Sequence, residues 1–316
     1  MMNTRLPTPN SGFRNLAIPA IEYDFQQLAE IYNQTRVDYI VPMPMNAKRM
    51  QEYVVHYDID LQNSIVATDE KRNPLGLAML GVRDFRTWIT RLGVSPDQRE
   101  RQVGSFLMEC LIENSRDIGA NIVQLEVIVG NEPARHMFLK FGFRPTRELL
   151  VIRRPPKPLE VSPEIELTDY RELNEREIPL FLQQREMGAT WVEESSSLLN
   201  GGSLKGIAIR TREGYGWVIF TATPLQIQHV VLHATRTPHY EQIMVALLYY
   251  MHSNFPNRDT KIENVPTMHP TWRAYQKLGY VISFRRIEMM LNLMEDDHSA
   301  TLPIHPSKLK SIIPDD

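Results

Sequence analysis

Apolar residues recur at two spacings along this chain. Ile21, Phe25, Leu28 and Tyr32 fall three or four apart and predict a helix over Phe25–Gln34 with one buried side. A second helix is predicted around Ala47–Tyr57. Ser64–Thr68, Leu75–Arg83 and Trp88–Val94 are short apolar or alternating runs between polar turns, and read as strands. A helix over Val103–Gly119, a strand over Ile122–Val129, a helix over Pro133–Phe141 and a strand over Leu149–Arg153 follow. The rest of the chain repeats the theme. A helix near Glu175–Met187 precedes strands at Gly206–Thr211, Gly216–Thr223 and His229–Ala234, then a helix over Tyr240–Asn254 and a strand over Arg286–Leu293. Largely consecutive strands with crossover helices late in each half predict an α/β (α+β) fold. Each half would hold a mixed, mostly antiparallel central sheet flanked by helices.

Two further patterns divide the chain. Arg154-Pro155-Pro156-Lys157-Pro158 with Pro163 cannot continue a helix or a central strand, and reads as a linker. Pro133, Phe138, Lys140, Gly142 and Phe143 match Pro270, Tyr275, Lys277, Gly279 and Tyr280, each pair 137 positions apart, as between Gly142 and Gly279. Self-similarity at so long a period indicates a duplicated fold. The expected organisation is a domain at 12–153, a linker at 154–163, a second domain at 164–293 and a tail at 294–316. In that tail Ile304, Leu309, Ile312 and Ile313 offer apolar residues for docking.

Composition narrows the function classes. A formal net charge of −3 over 316 residues predicts no general attraction to nucleic acid or to an anionic membrane. The single cysteine, Cys110, permits no internal disulfide and no Cys-rich metal site. The five histidines at 229, 233, 239, 252 and 269 form no compact ligand pattern, so no metal is expected. No run approaches the ~20 apolar residues of a membrane span, and Met1–Asn15 lacks the apolar core of a signal peptide. The expectation is a cytoplasmic protein.

Chemistry concentrates in Leu92–Leu107, where a strand runs through a basic loop and a glycine into a helix. Unpaired amides at a helix N-terminus, with the positive end of its dipole, form an anion site suited to a pyrophosphate. Arg99 and Arg101 add charge beside it, and Gly104 allows close backbone approach. Alone, this pattern more often marks an ordinary tight turn with a solvated basic face. Downstream come Asn131, Ala134, Phe138 and Gly142-Phe143.

The pair of segments resembles motifs A and B of the GNAT N-acetyltransferases: Arg99-Glu100-Arg101-Gln102-Val103-Gly104 for the first, Asn131, Ala134, Phe138 and Gly142-Phe143 for the second. The resemblance covers 12–153 well and 164–293 more faintly. It implies an acetyl-CoA site. The amides of Leu92 and Val94 would pair with the pantetheine arm, and the Leu92 N–H would also face the thioester oxygen. Amides from Gln102 through Val103 and Gly104 to Ser105 would hold the pyrophosphate. Asn131 would bond the pantetheine, and Phe138 would pack near the thiol. Three departures stand out. Gln102 replaces a glycine, Phe138 stands where many members carry a proton-donating tyrosine, and Trp88 stands where some carry a glutamate base. Glu126, by strand position, is the candidate base, with ordered water as its rival. His136 and Asp38 read more simply as surface residues. In the second half Tyr275 keeps the aromatic position, but Thr235-Arg236-Thr237-Pro238-His239-Tyr240 replaces the phosphate loop, and that copy reads as degenerate.

The function expected from the resemblance is an N-acyltransferase moving an acetyl group from acetyl-CoA to a primary amine, by direct attack in a ternary complex. The acceptor would be a small molecule, with no nucleic acid or membrane partner. The rival reading is a non-catalytic acyl-CoA-binding or scaffold protein with a decayed site.

Overall fold

The computed structural model describes residues 15–99, 101–185 and 188–294. The expectations for Met1–Arg14 and for the apolar positions of the tail lie outside the described residues.

The first half runs β1 (Leu16–Pro19), α1 (Phe25–Gln34), α2 (Ala47–His56), β2 (Ile59–Thr68), β3 (Pro74–Arg83), β4 (Arg86–Val94), α3 (Val103–Asp117), β5 (Ile122–Ile128), α4 (Glu132–Lys140) and β6 (Arg144–Arg154). The second runs β7 (Leu167–Leu173), α5 (Ile178–Leu182), α6 (Ser195–Gly201), β8 (Leu204–Thr211), β9 (Tyr215–Ala222), β10 (Gln226–Ala234), α7 (Tyr240–Asn254), β11 (Asp259–Pro266), α8 (Thr271–Lys277) and β12 (Val281–Asn292). Local chemistry sets several starts. Asp24 Oδ1 accepts from the Gln27 amide at 2.7 Å while Gln27 Oε1 accepts from the Asp24 amide at 2.9 Å, a reciprocal cap on α1. Asn46 caps α2 one way only, accepting from the Arg49 amide. The helix expected over Glu175–Met187 is only the short α5. Pro179 stands in its first turn, and a separate turn at Trp191–Glu193 precedes α6.

Among the described residues the strands make one continuous sheet of twelve, ordered β1-β2-β3-β4-β5-β12-β6-β11-β10-β9-β8-β7. Only β4·β5 and β10·β11 are parallel. The order is consecutive except at the centre, where the halves exchange their last strands. β12 pairs with β5 from Arg286↔Ile128 to Asn292↔Ile122 and also with β6, while β6 pairs with β11. Leu125, Val127, Met289 and Leu291 accordingly lie in one buried cluster with α3 residues Leu107, Met108 and Leu111.

A second tie joins the halves on the opposite face. Trp191 is fully buried among Leu28, Tyr32, Met50 and Tyr53 of the first half. It stacks on Trp88 at 5.8 Å and donates from Nε1 to the Tyr57 carbonyl at 2.8 Å. Gly81 makes room for it, since a Cβ there would sit 2.9 Å from the indole. Arg83 lies over Trp191 at 4.3 Å and bonds Asp58, Glu194 and Ser197 Oγ. Burial of two large aromatics and a paired arginine makes this junction part of the core rather than a sliding contact.

Candidate active site

β4 and β5 pair only at Arg86↔Ile122, Thr87↔Val123 and Trp88↔Gln124. Beyond Trp88 the β3–β4 register shifts and Arg91 takes φ +53°, a left-handed conformation that bends β4 away. A cleft opens between Thr90–Val94 and Glu126–Ile128. The unfavourable backbone of Arg91 is offset by its side chain, which lies 4.2 Å over Tyr53 and donates to Tyr32 Oη at 3.1 Å.

Glu126 stands at the fork. Trp88 Nε1 donates to its Oε2 at 2.7 Å, whereas Oε1 is buried with no partner. Burial pushes the carboxyl up to about 7, against the Trp88 bond and the nearby Arg286, which pull it down. Trp88 thus supplies no carboxylate itself; it holds the one on the next strand. Two adjoining cavities meet here. One of about 150 Å³ is lined by Met43, Tyr53, Tyr57 and Trp88, with Val192, Glu263 and Arg286 from the second half. The other, about 90 Å³, is lined by Leu92, Asn131, Ala134 and Phe138. Arg36, Tyr39, Thr90, Arg91 and Glu126 belong to both walls.

The remaining sequence candidates take definite places. Leu92 and Val94 lie on the bent part of β4, past its last pairing with β5, and the Leu92 carbonyl accepts from Arg36 at 2.8 Å. Gln102 is the residue before α3, exposed, at φ +61°, with no side-chain cap. That is the conformation in which a glycine would be unstrained. Val103 is buried in the core and Ser105 half-buried. Gly104 serves helix packing, because a Cβ there would meet Met137 Sδ at 3.3 Å. Arg101 donates to Gln98 Oε1. Arg99 forms a two-pronged pair with Asp38 at 2.6 and 2.7 Å, which holds the Asp38 carboxyl below its usual range; Asp38 lines neither cavity. Asn131 caps α4, its Oδ1 accepting from the Ala134 amide at 3.4 Å, and Phe138 is buried beside Phe143. The structure therefore brings Leu92, Glu126, Asn131 and Phe138 to one cleft and places Arg99, Arg101 and Gln102 before α3, with Val103–Ser105 in its first turn.

Residues 26–143 match the family described as acetyltransferase (GNAT) family. The first half of the chain is thus similar to the GNAT acetyltransferases. A GCN5-related N-acetyltransferase from Sphaerobacter thermophilus superposes with a TM-score of 0.58 at 14% identity, covering 89% of this chain and 95% of that one. A tandem GNAT protein from the clavulanic acid biosynthesis pathway gives 0.57 at 13% identity, covering 89% and 98%. At these identities the likeness is one of fold, and it extends over both halves. A Bacillus subtilis protein provisionally named a ribosomal protein bS18 alanine N-acetyltransferase is 33% identical over 57 residues, 18% of this chain and 38% of the relative. The chain thus matches well under half the length of that curated relative.

The second half of the chain repeats the fork. β10 and β11 pair only at Gln226↔Asp259 and Ile227↔Thr260, and His229 takes φ +52°. The 137-residue offset also pairs Glu126 with Glu263, a match that the motif comparison alone did not reveal. Glu263 is not free. Although burial opposes ionisation, Arg286 at 2.9 Å and Lys261 at 2.7 Å bring its carboxyl well below the usual range. A cavity of about 380 Å³ follows this second fork, lined by Glu193, His233, His269 and Tyr275. Tyr275 is a core residue, its ring edge-on to Tyr280 at 5.0 Å. α7 begins after His239 with no side-chain cap.

Sequence reasoning did not single out Arg36, Arg91, Tyr53, Glu263 or Arg286. Arginines and tyrosines on amphipathic elements look like surface or packing residues until the bend at Arg91 turns them inward.

Proposed function

We propose that this chain is an N-acetyltransferase whose first half, over 12–153, binds acetyl-CoA and whose second half, over 164–293, completes the wall of the acceptor cavity. The observation that carries the reading is Glu126: a carboxyl at the fork, with one oxygen held by Trp88 and the other buried without a partner, and with its ionisation raised to about 7. An amine of pKa near ~10 arrives mostly protonated, and a base is most effective when its own pKa lies near the working pH. Glu126 takes a proton from the ammonium group, the freed nitrogen attacks the thioester carbon, and a tetrahedral oxyanion forms beside the Leu92 amide. The C–S bond then breaks. Coenzyme A leaves as thiolate, a fair leaving group, and water protonates it, since Phe138 has no proton to give. The nitrogen sheds its remaining extra proton to solvent.

For acetyl-CoA, Gln102–Ser105 at the start of α3 supply helix N-terminal amides for the pyrophosphate, with Arg99 and Arg101 beside them, and Leu92, Val94, Asn131 and Phe138 border the cleft for the pantetheine. The test is calorimetric titration of acetyl-CoA into the full chain and into Ser105→Glu, together with thiol release over a panel of amines. Ser105 is preferred to Gly104 because a side chain at Gly104 would collide with Met137. One site per chain, lost in Ser105→Glu, with turnover abolished in Glu126→Gln, is the expected result. Absence of acetyl-CoA binding to the unmodified chain would sink the reading.

A further inference from the structure

Eight buried side-chain polar atoms among the described residues have no hydrogen-bond partner, and three of them stand on the wall shared by the two cavities: Arg36 Nε, Arg91 Nε and Glu126 Oε1. A buried polar group left unsatisfied is costly, and at a functional site it points to an absent partner. The charges on that wall do not balance. Arg91 stacks on Tyr53 and Tyr32 and bonds Tyr32 Oη; Glu263 acts on it through space, but among the described residues no carboxylate pairs with it. Arg36 lies 3.9 Å over Tyr39 and donates to the Leu92 carbonyl, again with no carboxylate partner. Glu263, the other acid in the larger cavity, is already engaged by Arg286 and Lys261. Two guanidinium groups thus face the acceptor space with free donors, beside a single carboxyl suited to deprotonating an amine.

Resting on the acetyltransferase reading above, we infer that the acceptor is a small amine that also bears a carboxylate, its amine at Glu126 and its carboxylate at Arg91 and Arg36. A planar guanidinium offers forked donors that match the two oxygens of a carboxylate. The cavity, at about 150 Å³, suits a molecule of amino-acid size rather than a folded polypeptide surface. Tyr39, Tyr53 and Tyr57 give it an aromatic side, and Arg36 and Arg91 already lie over Tyr39 and Tyr53, so an uncharged or apolar side chain is favoured over a second cation.

The test compares acetylation by the full chain of free α-amino acids, of their α-amides, and of the matched amines lacking the carboxylate. An aminoalkylphosphonate series is included. The carboxylate series should be preferred by about a hundredfold in kcat/KM, since losing a buried charge-assisted bond is a large discrimination. Arg91→Gln should lower kcat/KM for the amino acid at least about tenfold more than for the amide, so that the preference for the acid collapses. Equal use of amide and acid overturns the inference, as does a preference for the phosphonate or an equal loss for both acceptors in Arg91→Gln. Because the chain's catalytic role is itself a proposal, binding is measured separately. N-acetyl amino acids and their amides are titrated into the full chain with coenzyme A present. Tighter binding of the acids, lost in Arg91→Gln, upholds the carboxylate site even if no amine turns over. No discrimination between them refutes it.

Discussion

Trp88 Nε1 lies 2.7 Å from Glu126 Oε2, and Trp88 is also the last residue of β4 that pairs with β5. The indole spans the fork at its apex. One side chain therefore marks where the strands part and fixes the carboxyl that the parting exposes. Its ring is itself held by Trp191, stacked at 5.8 Å, so the second half of the chain steadies the geometry of the first.

Activity should rise with pH across neutrality. The Glu126 carboxyl is pushed up to about 7, so it accepts a proton only as pH passes through that value. The log of kcat/KM should climb with unit slope below pH 7 and level above it. Glu126→Gln should lower kcat by roughly 10²–10⁴-fold and flatten that limb, the scale expected for losing a general base. A variant that kept the wild-type pH profile would exclude Glu126 as the base.

Trp88→Phe should keep most of the aromatic contact with Trp191 but remove the N–H. The bond it loses favours the charged carboxylate, so the acid limb should move to higher pH by about one unit, worth ~1.4 kcal/mol. Pre-steady-state rates against pH would show it. An unmoved limb would mean that the hydrogen bond does not tune the base.

Gln102→Gly should relieve a side chain at φ +61°. Strain of about 1 kcal/mol is released, offset in part by the greater freedom of glycine in the unfolded chain. Thermal stability should therefore change little, while the calorimetric affinity for acetyl-CoA rises by about three- to tenfold as the turn opens to the pyrophosphate. Unchanged affinity would show that Gln102 does not crowd the anion.

Glu193 lines the 380 Å³ cavity, and burial raises its carboxyl to about 8 although Arg185 opposes the shift. The folded state thus holds this proton more tightly than the unfolded chain, in which a glutamate titrates near ~4.3. The stability it contributes is complete below that pH and is lost as pH rises through about 8. Glu193→Gln should match the parent at pH 4 and exceed it at pH 9 by on the order of 2–4 kcal/mol, read from denaturant unfolding. The opposite ordering at pH 9 would place the carboxylate in a favourable ionic contact.

Arg83→Ala should destabilise the chain by about 2–3 kcal/mol in denaturant unfolding, because it removes the cation packed on Trp191 and leaves Asp58 only Asn200, although Arg86 still holds Glu194. Arg83→Lys should recover only part of this, since one ammonium cannot reach Asp58, Glu194, Ser197 and the Trp191 carbonyl together.

Most elements of the fold were legible because their buried faces repeat locally. α1 and α7 match their expected bounds residue for residue. β7 escaped because its central residues are exposed on the sheet edge and carry no apolar alternation. β11 was not among the expected strands because two of its buried positions are the polar Thr260 and Asn264, which break the apolar alternation. The placement of β12 beside β5 is a long-range pairing that no local pattern encodes. In the site, the motif residues were readable as a set, and Glu126 followed from its strand position. The bend at Arg91 was not, since arginine is no turn former, and with it went every residue that the bend turns inward.

The position of β12 also sets an order of events during synthesis. β5 leaves the ribosome long before its neighbour exists. At roughly 5–20 residues per second, the interval between Ile128 and Asn292 is roughly ten to thirty seconds. Throughout it the nascent first half carries an open hydrogen-bonding edge beside Glu126, with Val123, Leu125 and Val127 awaiting Met289 and Leu291. Completion of the fork therefore waits for delivery of the final strand, and a message truncated before codon 281 yields a product with the motif residues in place and the fork without its neighbour.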